Sequence, residues 1–378
     1  MSARLLGILV AILVVLGAAA LWLQHKERAD QAPEDAMLGK PVLVGLHGAD
    51  IGMIRIKAPD ATLTLRRDGV RWVVGERGDF PADIAKVRDF VVKAIGLKIG
   101  QSEPISAADR ARLELDAPSA AKGGGTLVEF DSGAGKPLAS VIVGGKYFKR
   151  TPDDPKTAKA DGRFVLLPDA AGNAIIVADP LDQAVADDAK WIDRHAFAAE
   201  DPISIDVHHA DGDHWRLVRG ADASGPWTLV DAKPGEKLAE NTVLSVAAAA
   251  GGLDIADVIE KDPQRAAKTL AKPTVVTVVS KDGLTYTLDI GAAEDRKHYA
   301  VGTIKGDLPE ARKPVKGEKP EDAAVRDKAF AARIARVRAR LPDAQTLAKY
   351  ALLIPDTTLV DLTKKRAELL EKPPAKKH

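Results

Sequence analysis

An internal duplication is the feature that most constrains how this chain folds. Two segments share the same succession of patterns, each with an Ile-x-Ile run followed by a Trp-containing run. The landmarks stay in register, because Trp72 and Trp227 are separated by the same number of residues as Pro118 and Pro273. A repeat of this kind predicts one supersecondary unit built twice.

Each copy begins with a predicted antiparallel meander. Apolar and polar residues alternate from Ile54 to Val74 in the first copy and from Ile203 to Val230 in the second, as in strands with one buried face. Asp68-Gly69 and Asp211-Gly212 supply the hairpin turns, because glycine tolerates positive φ. A helix follows each meander, at 84–95 with Asp83 as the predicted cap and at 243–250 with Asn241 as the predicted cap.

Both copies continue with a short capped helix and a hairpin. The short helices are predicted to be capped by Ser106 with Asp109 and by Asp262 with Pro263. The predicted hairpins run over 126–130 and 138–143 with a turn at Ser132-Gly133, and over 274–280 and 284–290 with a turn at Asp282-Gly283; Gly144 and Gly291 are expected to end them. Elsewhere the sequence predicts a strand pair at 163–167 and 174–177, a helix at 187–197, a linker at 309–320, and helices at 322–341, 343–353 and 361–371.

The N-terminal apolar run predicts a single membrane span. Leu5 to Leu23 carries no charged residue and would reach about 28 Å as a helix, close to the hydrocarbon thickness of a bilayer. A signal peptide cleaved after Ala18-Ala19-Ala20 is the alternative, but the apolar run continues to Trp22, which suits an interfacial anchor. The positive charges on the two sides of the apolar run nearly balance, so they do not fix its orientation. The short segment before the run favours a cytoplasmic N-terminus with a periplasmic body.

The predicted fold class is therefore α+β, an N-terminal transmembrane helix followed by two tandem repeats of an antiparallel sheet with helices and a helical C-terminal segment. The predicted domains are a transmembrane anchor at 1–24, a tether at 25–44, a first repeat at 45–198, a second repeat at 199–308, and a linker with C-terminal helices at 309–378.

Composition excludes several classes of function. The 55 basic and 54 acidic residues leave a net charge of +1, which gives no general attraction to nucleic acid. The chain has no cysteine, so disulfides, thiolate metal sites and a cysteine nucleophile are excluded.

Several short motifs recur in one order along the chain. They include the Ile-x-Ile strand, the Trp-Val-Val strand, the Phe80-Pro81-Ala82-Asp83 helix entry, the Leu-Asp-x-Pro junction at 115–118, the hairpin end Val143-Gly144-Gly145 and the run 188–192. This order resembles the domain-of-unknown-function 4340 family, from about 45 to 305 and in two copies, although the second copy has Lys-Leu-Ala-Glu at 237–240 in place of the helix entry. The resemblance implies a bacterial, membrane-anchored auxiliary component of a gliding-motility-type ABC transporter, with transporter subunits as partners. It implies no catalytic residues.

Candidate sites are few. His208, His209 and His214 are clustered as in transition-metal sites, but adjacent strand residues face opposite ways, so an exposed polar hairpin is the favoured interpretation. Glycines at 123–125 and 144–145 lack the spacing of a phosphate-binding loop. Acidic neighbours at 153–154 and 187–188 are expected by chance among 54 carboxylates. Basic residues at 333, 336, 338 and 340, with apolar 334, 337 and 341, indicate either a docking surface for a partner or anionic lipid or a solvated helix that covers the second repeat.

These observations predict a non-enzymatic, extracytoplasmic accessory or scaffold protein with no cofactor, no metal and no catalytic residue. The alternative is a periplasmic binding module for an envelope glycan or lipid, which needs a concave pocket lined by some of Trp72, Trp191, Trp215 and Trp227. An enzyme is the third hypothesis, since no nucleophile-elbow or zinc-protease motif is present.

Overall fold

The computed structural model describes Trp22 and residues 37–371, apart from 120, 155–156, 170–171, 222, 307–309, 313 and 315–316. The chain divides into two compact units. Unit 1 contains the described residues up to Gly75 together with Ile84–Asp188. Unit 2 contains the short segment Glu76–Asp83 together with the described residues from Ala189 onward.

Unit 1 is built on one antiparallel sheet. The strands in this part of the chain are β1 (Ile51–Lys57), β2 (Thr62–Asp68), β3 (Arg71–Val74), β4 (Phe80–Pro81), β5 (Gln101–Pro104), β6 (Thr126–Ser132), β7 (Pro137–Tyr147), β8 (Gly162–Leu166) and β9 (Asn173–Val177). Strand β4 belongs to unit 2, and the others lie in the order β3-β2-β1-β6-β7-β8-β9-β5. The helices are α1 (Ile84–Gly96) and α2 (Ala107–Arg112).

Two apolar layers hold unit 1 together. On one face of the sheet, Ile54 lies between Leu65 and Phe130 on the neighbouring strands, and all three are fully buried. Phe90 of α1 stacks on Phe130 with ring centroids 6.2 Å apart, so α1 covers this face. On the opposite face a second cluster contains Leu115, Ile142, Leu166 and Ala174.

Unit 2 repeats this design with additions at its C-terminal end. Its further strands are β10 (Pro202–His208), β11 (His214–Val218), β12 (Thr228–Leu229), β13 (Asp257–Glu260), β14 (Thr274–Ser280), β15 (Leu284–Glu294), β16 (Lys297–Gly306) and β17 (Tyr350–Pro355), in the order β12-β11-β10-β14-β15-β16-β17-β13. The helices are α3 (Glu240–Gly251), α4 (Pro263–Thr269), α5 (Pro320–Thr346) and α6 (Asp356–Leu362), and single 3-10 turns lie at 188–190, 347–349 and 366–369.

The two sheets correspond strand by strand. The order β3-β2-β1-β6-β7-β8-β9-β5 becomes β12-β11-β10-β14-β15-β16-β17-β13 without any exchange of position. Even an irregularity is shared, because the register shifts between Ile51 and Met53 on β1 and between Pro202 and Ser204 on β10. The predicted caps of the short helices are confirmed: Ser106 forms a capping box with Asp109, and Asp262 accepts the N–H groups of Gln264 and Arg265.

One glycine in each unit has the same steric role. The prediction that Gly144 and Gly291 end their strands is wrong, because β7 and β15 continue beyond them. A Cβ at Gly144 would lie 2.5 Å from the carbonyl oxygen of Leu113, and one at Gly291 would lie 2.8 Å from that of Thr269. Each glycine therefore lets the end of the short helix pass directly over the strand.

The predicted fold class is wrong at the N-terminus. No helix among the described residues is long and apolar enough to cross a membrane. The longest, α5, has 27 residues but carries charged side chains along its length. The fold class of the described residues is therefore α+β with two antiparallel sheets and a C-terminal helix. The predicted anchor at 1–24 lies outside the described residues except for Trp22.

Three predicted helices are also wrong. Residues 187–197 form only a 3-10 turn, because their backbone pairs with Pro81–Asp83 instead: Asp83 N–H donates to the carbonyl of the buried Trp191 over 2.8 Å. The second predicted helix, 343–353, is replaced by the end of α5, which continues through Pro342 to Thr346, and by the start of β17. The third predicted helix, 361–371, does not form, because α6 begins at Asp356 and ends at Leu362.

Smaller differences concern caps and turns. Helix α3 begins at Glu240, so Asn241 lies inside its first turn, and the capping residue Ala239 makes no side-chain hydrogen bond. The β6–β7 turn closes through the N–H of Gly135 to the carbonyl of Ser132, and Gly135 rather than Gly133 has positive φ, +78°. The strand pair predicted at 163–167 and 174–177 is confirmed as β8 and β9.

Candidate functional site

A concave surface of the described residues lies in unit 2. This groove, which we call the α3 groove, has a volume of about 530 Å³ and is lined by Arg219, Gly225, Pro226, Trp227, Leu238, Glu240, Val243 and Leu244. The loop between β11 and β12 forms one wall, and the first turns of α3 form the other. Trp227, which immediately precedes β12, is half-buried.

An aromatic ring and a guanidinium stack at the α3 groove. The Arg219 Cζ atom lies 4.7 Å from the centroid of the Trp227 ring, the geometry of a cation–π contact. A hydrogen bond holds Arg219 in this position, since its Nε donates to the carbonyl of Pro202 over 2.6 Å. Leu244 on the opposite wall is 54% exposed. The groove therefore combines a held cation, an aromatic ring and a free apolar side chain.

A segment after α6 contacts the start of α3 and the β10–β11 hairpin; we call residues 363–371 the C-terminal strap. The carbonyl of its Lys364 accepts the indole N–H of Trp215 over 2.7 Å. Ala239 N–H donates to the carbonyl of Leu369 over 2.8 Å, and Leu369 is fully buried. The strap thereby ties the β10–β11 hairpin and the start of α3 to the same backbone.

A bidentate ion pair fixes the strap by its side chains. The Arg366 guanidinium donates from Nη1 and Nη2 to the two carboxylate oxygens of Glu236, over 2.9 and 2.7 Å. Lys233 N–H also donates to this carboxylate over 2.7 Å. The hydrogen bonds from Arg366 and then from Lys233 favour the charged carboxylate and lower the pKa of Glu236 to about 2.

The four tryptophans considered as pocket-lining residues separate in the structure. Trp191 and Trp215 are buried in unit 2, with 2% and 1% of their surface exposed. Trp72 on β3 and Trp227 are half-buried. Of the four, Trp227 lines the α3 groove.

The histidine-rich hairpin brings together three possible ligands. Asp206, His208 and His214 place their ligand atoms within 4.8 Å of one another. His209 is not part of this cluster: it is 9% exposed, and its Nε2 lies 3.1 Å from the carbonyl of Lys364. The sequence predicted that His208 and His209 face opposite ways, and this is confirmed. Reasoning from the sequence missed Asp206, although its spacing of two from His208 on a strand was the available signal.

The other candidates serve packing or surface roles. In the glycine run, a Cβ at Gly125 would lie 2.2 Å from the carbonyl oxygen of Glu114, so close approach of two backbone segments requires glycine there. Asp154 accepts a hydrogen bond from Thr157 over 2.8 Å. In α5, Ile334 and Val337 are buried, and the basic Arg340 pairs with Asp282 over 3.1 Å. These contacts favour the interpretation of α5 as a helix that covers unit 2.

The family model for a domain of unknown function, DUF4340, matches residues 72–273, which is more than half of the chain. The chain belongs to this family. The DUF4340 match is one continuous span that runs from β3 of unit 1 to the residue before β14 of unit 2, and it includes the α3 groove and the histidine cluster. No curated protein and no solved structure matches the chain significantly.

Proposed function

We propose that this DUF4340 protein is a non-enzymatic accessory protein that acts outside the cytoplasm and binds a membrane subunit of an ABC-type transport system. We further propose that its two units are two copies of one duplicated domain. The identical strand order of the two sheets and the register shift shared by β1 and β10 support the duplication. The transport role rests on the family likeness of the sequence.

The observation that carries the binding role is the composition of the α3 groove. Trp and Arg are among the residues most enriched where protein interfaces concentrate their binding energy. The Arg219–Trp227 stack beside the exposed Leu244 has this composition. We therefore expect the groove to hold an apolar side chain of the partner protein against the Trp227 ring.

A glycan- or lipid-binding module is less well supported. Sugars bind to aromatic rings by stacking on an open face, and here Arg219 covers one face of Trp227. Trp191 and Trp215, which might have extended an aromatic platform, are buried. The groove therefore favours a protein partner.

Co-purification of the full chain from detergent-solubilised membranes of its native host tests this proposal. Leu244→Lys places a charge in the α3 groove and should abolish recovery of a transporter subunit. Val92→Lys is the matched control, since Val92 is an exposed apolar residue, 63% accessible, on the corresponding helix α1 of unit 1; it should leave recovery unchanged.

Two results would overturn the proposal. One is recovery of no membrane transport subunit with the unmodified chain in several detergents. The other is unchanged recovery with Leu244→Lys. Binding of purified envelope glycan or of lipid vesicles that Leu244→Lys abolishes would replace the proposal with the binding-module hypothesis.

A further inference from the structure

The outer face of the β10–β11 hairpin presents two imidazoles and one carboxylate. Asp206 and His208 are two residues apart on β10, so their side chains lie on the same face of the sheet. His214 is the direct cross-strand partner of His208. The opposite face of the same strands is the buried core of unit 2, with Val207, Trp215 and Leu217. The strand pairing therefore fixes which three side chains meet.

The two imidazoles approach the same carboxylate oxygen of Asp206. His208 Nε2 lies 3.0 Å from Asp206 Oδ1, and His214 Nε2 lies 3.1 Å from the same oxygen. The two rings are nearly parallel, with centroids 3.9 Å apart. Zinc–nitrogen and zinc–oxygen bonds of about 2.0–2.1 Å in tetrahedral geometry separate ligand atoms by roughly 3.3 Å. Both distances to Asp206 are within a few tenths of an ångström of that spacing, and all three ligand atoms lie within 4.8 Å of one another.

We propose that Asp206, His208 and His214 bind one divalent transition-metal ion of the zinc type. Two imidazoles and a carboxylate are ligands that such ions prefer. His208 is 59% exposed and His214 is 44% exposed, so an ion can enter from solvent. Three protein ligands leave the fourth tetrahedral position for water or for an atom of another molecule.

The scaffold beneath the site is held in place before any ion binds. The tight turn that joins the strands closes through His209 N–H to the carbonyl of Asp213 over 2.8 Å, with Gly212 at φ +90°. The C-terminal strap holds this turn from outside, because Lys365 Nζ lies 2.6 Å from Asp211 Oδ2 and Arg366 N–H donates to Asp213 over 2.8 Å. Rigid support of this kind reduces the ordering needed when a metal binds.

One neighbouring cation opposes the metal. Arg216 is the cross-strand partner of Asp206, and its Nε lies 3.9 Å from Asp206 Oδ2. The guanidinium lies beside the carboxylate, although its Nε donates to Ser204 Oγ over 3.2 Å. Removal of this charge should therefore strengthen metal binding, whereas removal of either imidazole should weaken it. A metal ion bound elsewhere on the protein would not show these opposite changes in affinity.

Calorimetric titration of the untagged full chain with Zn²⁺ tests the proposal, and Co²⁺ serves as a spectroscopic probe of coordination. One equivalent should bind to the wild-type chain above any weaker background. His208→Gln and His214→Gln should each lower its affinity by at least the roughly 10–100-fold that is lost when a ligand's supporting hydrogen bond is removed. Arg216→Gln should raise the affinity several-fold.

His47→Gln is the matched control, since it removes an exposed histidine of unit 1 and should leave the titration unchanged. Circular dichroism of each variant checks that the fold is retained, which the exposure of His208 and His214 leads us to expect. Equal Zn²⁺ affinity for the wild type and for both His→Gln variants would overturn the proposal. Absence of any stoichiometric binding by the wild type would overturn it as well.

Discussion

The two units share one strand order but present opposite chemistry on the outer face of their first strand. Register places Arg55 and Lys57 of β1 where β10 has Asp206 and His208. In unit 1 both cations are neutralised within the sheet, because Arg55 Nε lies 3.2 Å and Lys57 Nζ 2.8 Å from the carboxylate of Glu129 on β6. In unit 2 the residue facing Asp206 on β14 is Thr277, and the histidines take the place of the ion-pair ladder.

A second difference lies at the helix that covers each sheet. In unit 2 the C-terminal strap ties the β10–β11 turn to the start of α3, and the α3 groove opens beside it. The same scaffold thus carries two kinds of surface: in unit 1 charges pair with one another, and in unit 2 donor atoms and an apolar groove face outward. The comparison teaches that two sheets with the same strand order can present different surfaces through their side chains alone.

The largest expected effect is a loss of stability at a core position that holds different residues in the two units. Trp215 of β11 occupies the register position of Leu63 on β2, and both are buried. Trp215→Ala should lower the free energy of unfolding by about 3–5 kcal/mol through loss of packing, and it also leaves the Lys364 carbonyl without its indole donor. Denaturant unfolding measures this loss.

Two further variants divide the Trp215 effect. Trp215→Phe keeps an aromatic ring but removes the donor and part of the indole, so its cost sets an upper limit on the strap contact, which should contribute about 1–3 kcal/mol. Leu63→Ala, at about 2–5 kcal/mol, gives the packing cost at the matching position of unit 1. A loss below about 1 kcal/mol for Trp215→Ala would show that the strap is not held by this residue.

An intermediate effect should be equal in both units. Gly144→Ala and Gly291→Ala each force a Cβ against the backbone at the end of the short helix, at 2.5 and 2.8 Å from a carbonyl oxygen. Overpacking of this kind costs about 1–3 kcal/mol. Gly96→Ala at the end of α1 has no heavy atom within 4 Å of the added Cβ and should not destabilise the protein. Thermal unfolding of the three variants checks the equivalence, which fails if only one of the two strand glycines is sensitive.

The smallest expected effect is the pH dependence of the stability contributed by the ion pair between Glu236 and Arg366 of the strap. The pKa of Glu236 lies near 2 in the folded protein, below its ordinary value of 4.5, because Arg366 and the Lys233 N–H stabilise the carboxylate. Its contribution to stability is therefore complete above about pH 4.5 and is lost as the pH falls towards 2. The stability difference between wild type and Glu236→Gln should be constant near neutral pH and should shrink in that acidic window.

Glu260→Gln, which alters an exposed carboxylate on β13, is the control for this experiment. It should change the unfolding free energy little across the same range. A difference between wild type and Glu236→Gln that does not depend on pH would contradict the proposed role of the Arg366 pair.

The sequence predicted the parts of the fold that local patterns determine. Alternation located β1, β2, β10 and β11, and capping residues located α2 and α4. It failed at Tyr350–Pro355, where the run Ala-Leu-Leu-Ile fits either a buried strand or a helix. Pairing with β13 and β16 settles that segment as a strand, and those partners are distant in sequence.

The candidate sites show the same limit. The histidine cluster was partly visible, because His208 and His214 flank a recognisable turn and Asp206 lies two residues away. The α3 groove was not, because its walls come from the β11–β12 loop and from α3, which are separate segments of the sequence. Trp227 was recognised as a possible pocket residue, whereas Arg219 and Leu244 carried no signal of their own.

Site-specific photo-crosslinking in the native host tests most directly the claim that unit 2 carries the binding surface. A photoreactive amino acid replaces Leu244 in the α3 groove or, in a parallel strain, Val92 on α1. We predict that the full chain crosslinks to a membrane transport subunit from position 244 and not from position 92. Crosslinks of equal yield from both positions, or none from position 244, would contradict the account.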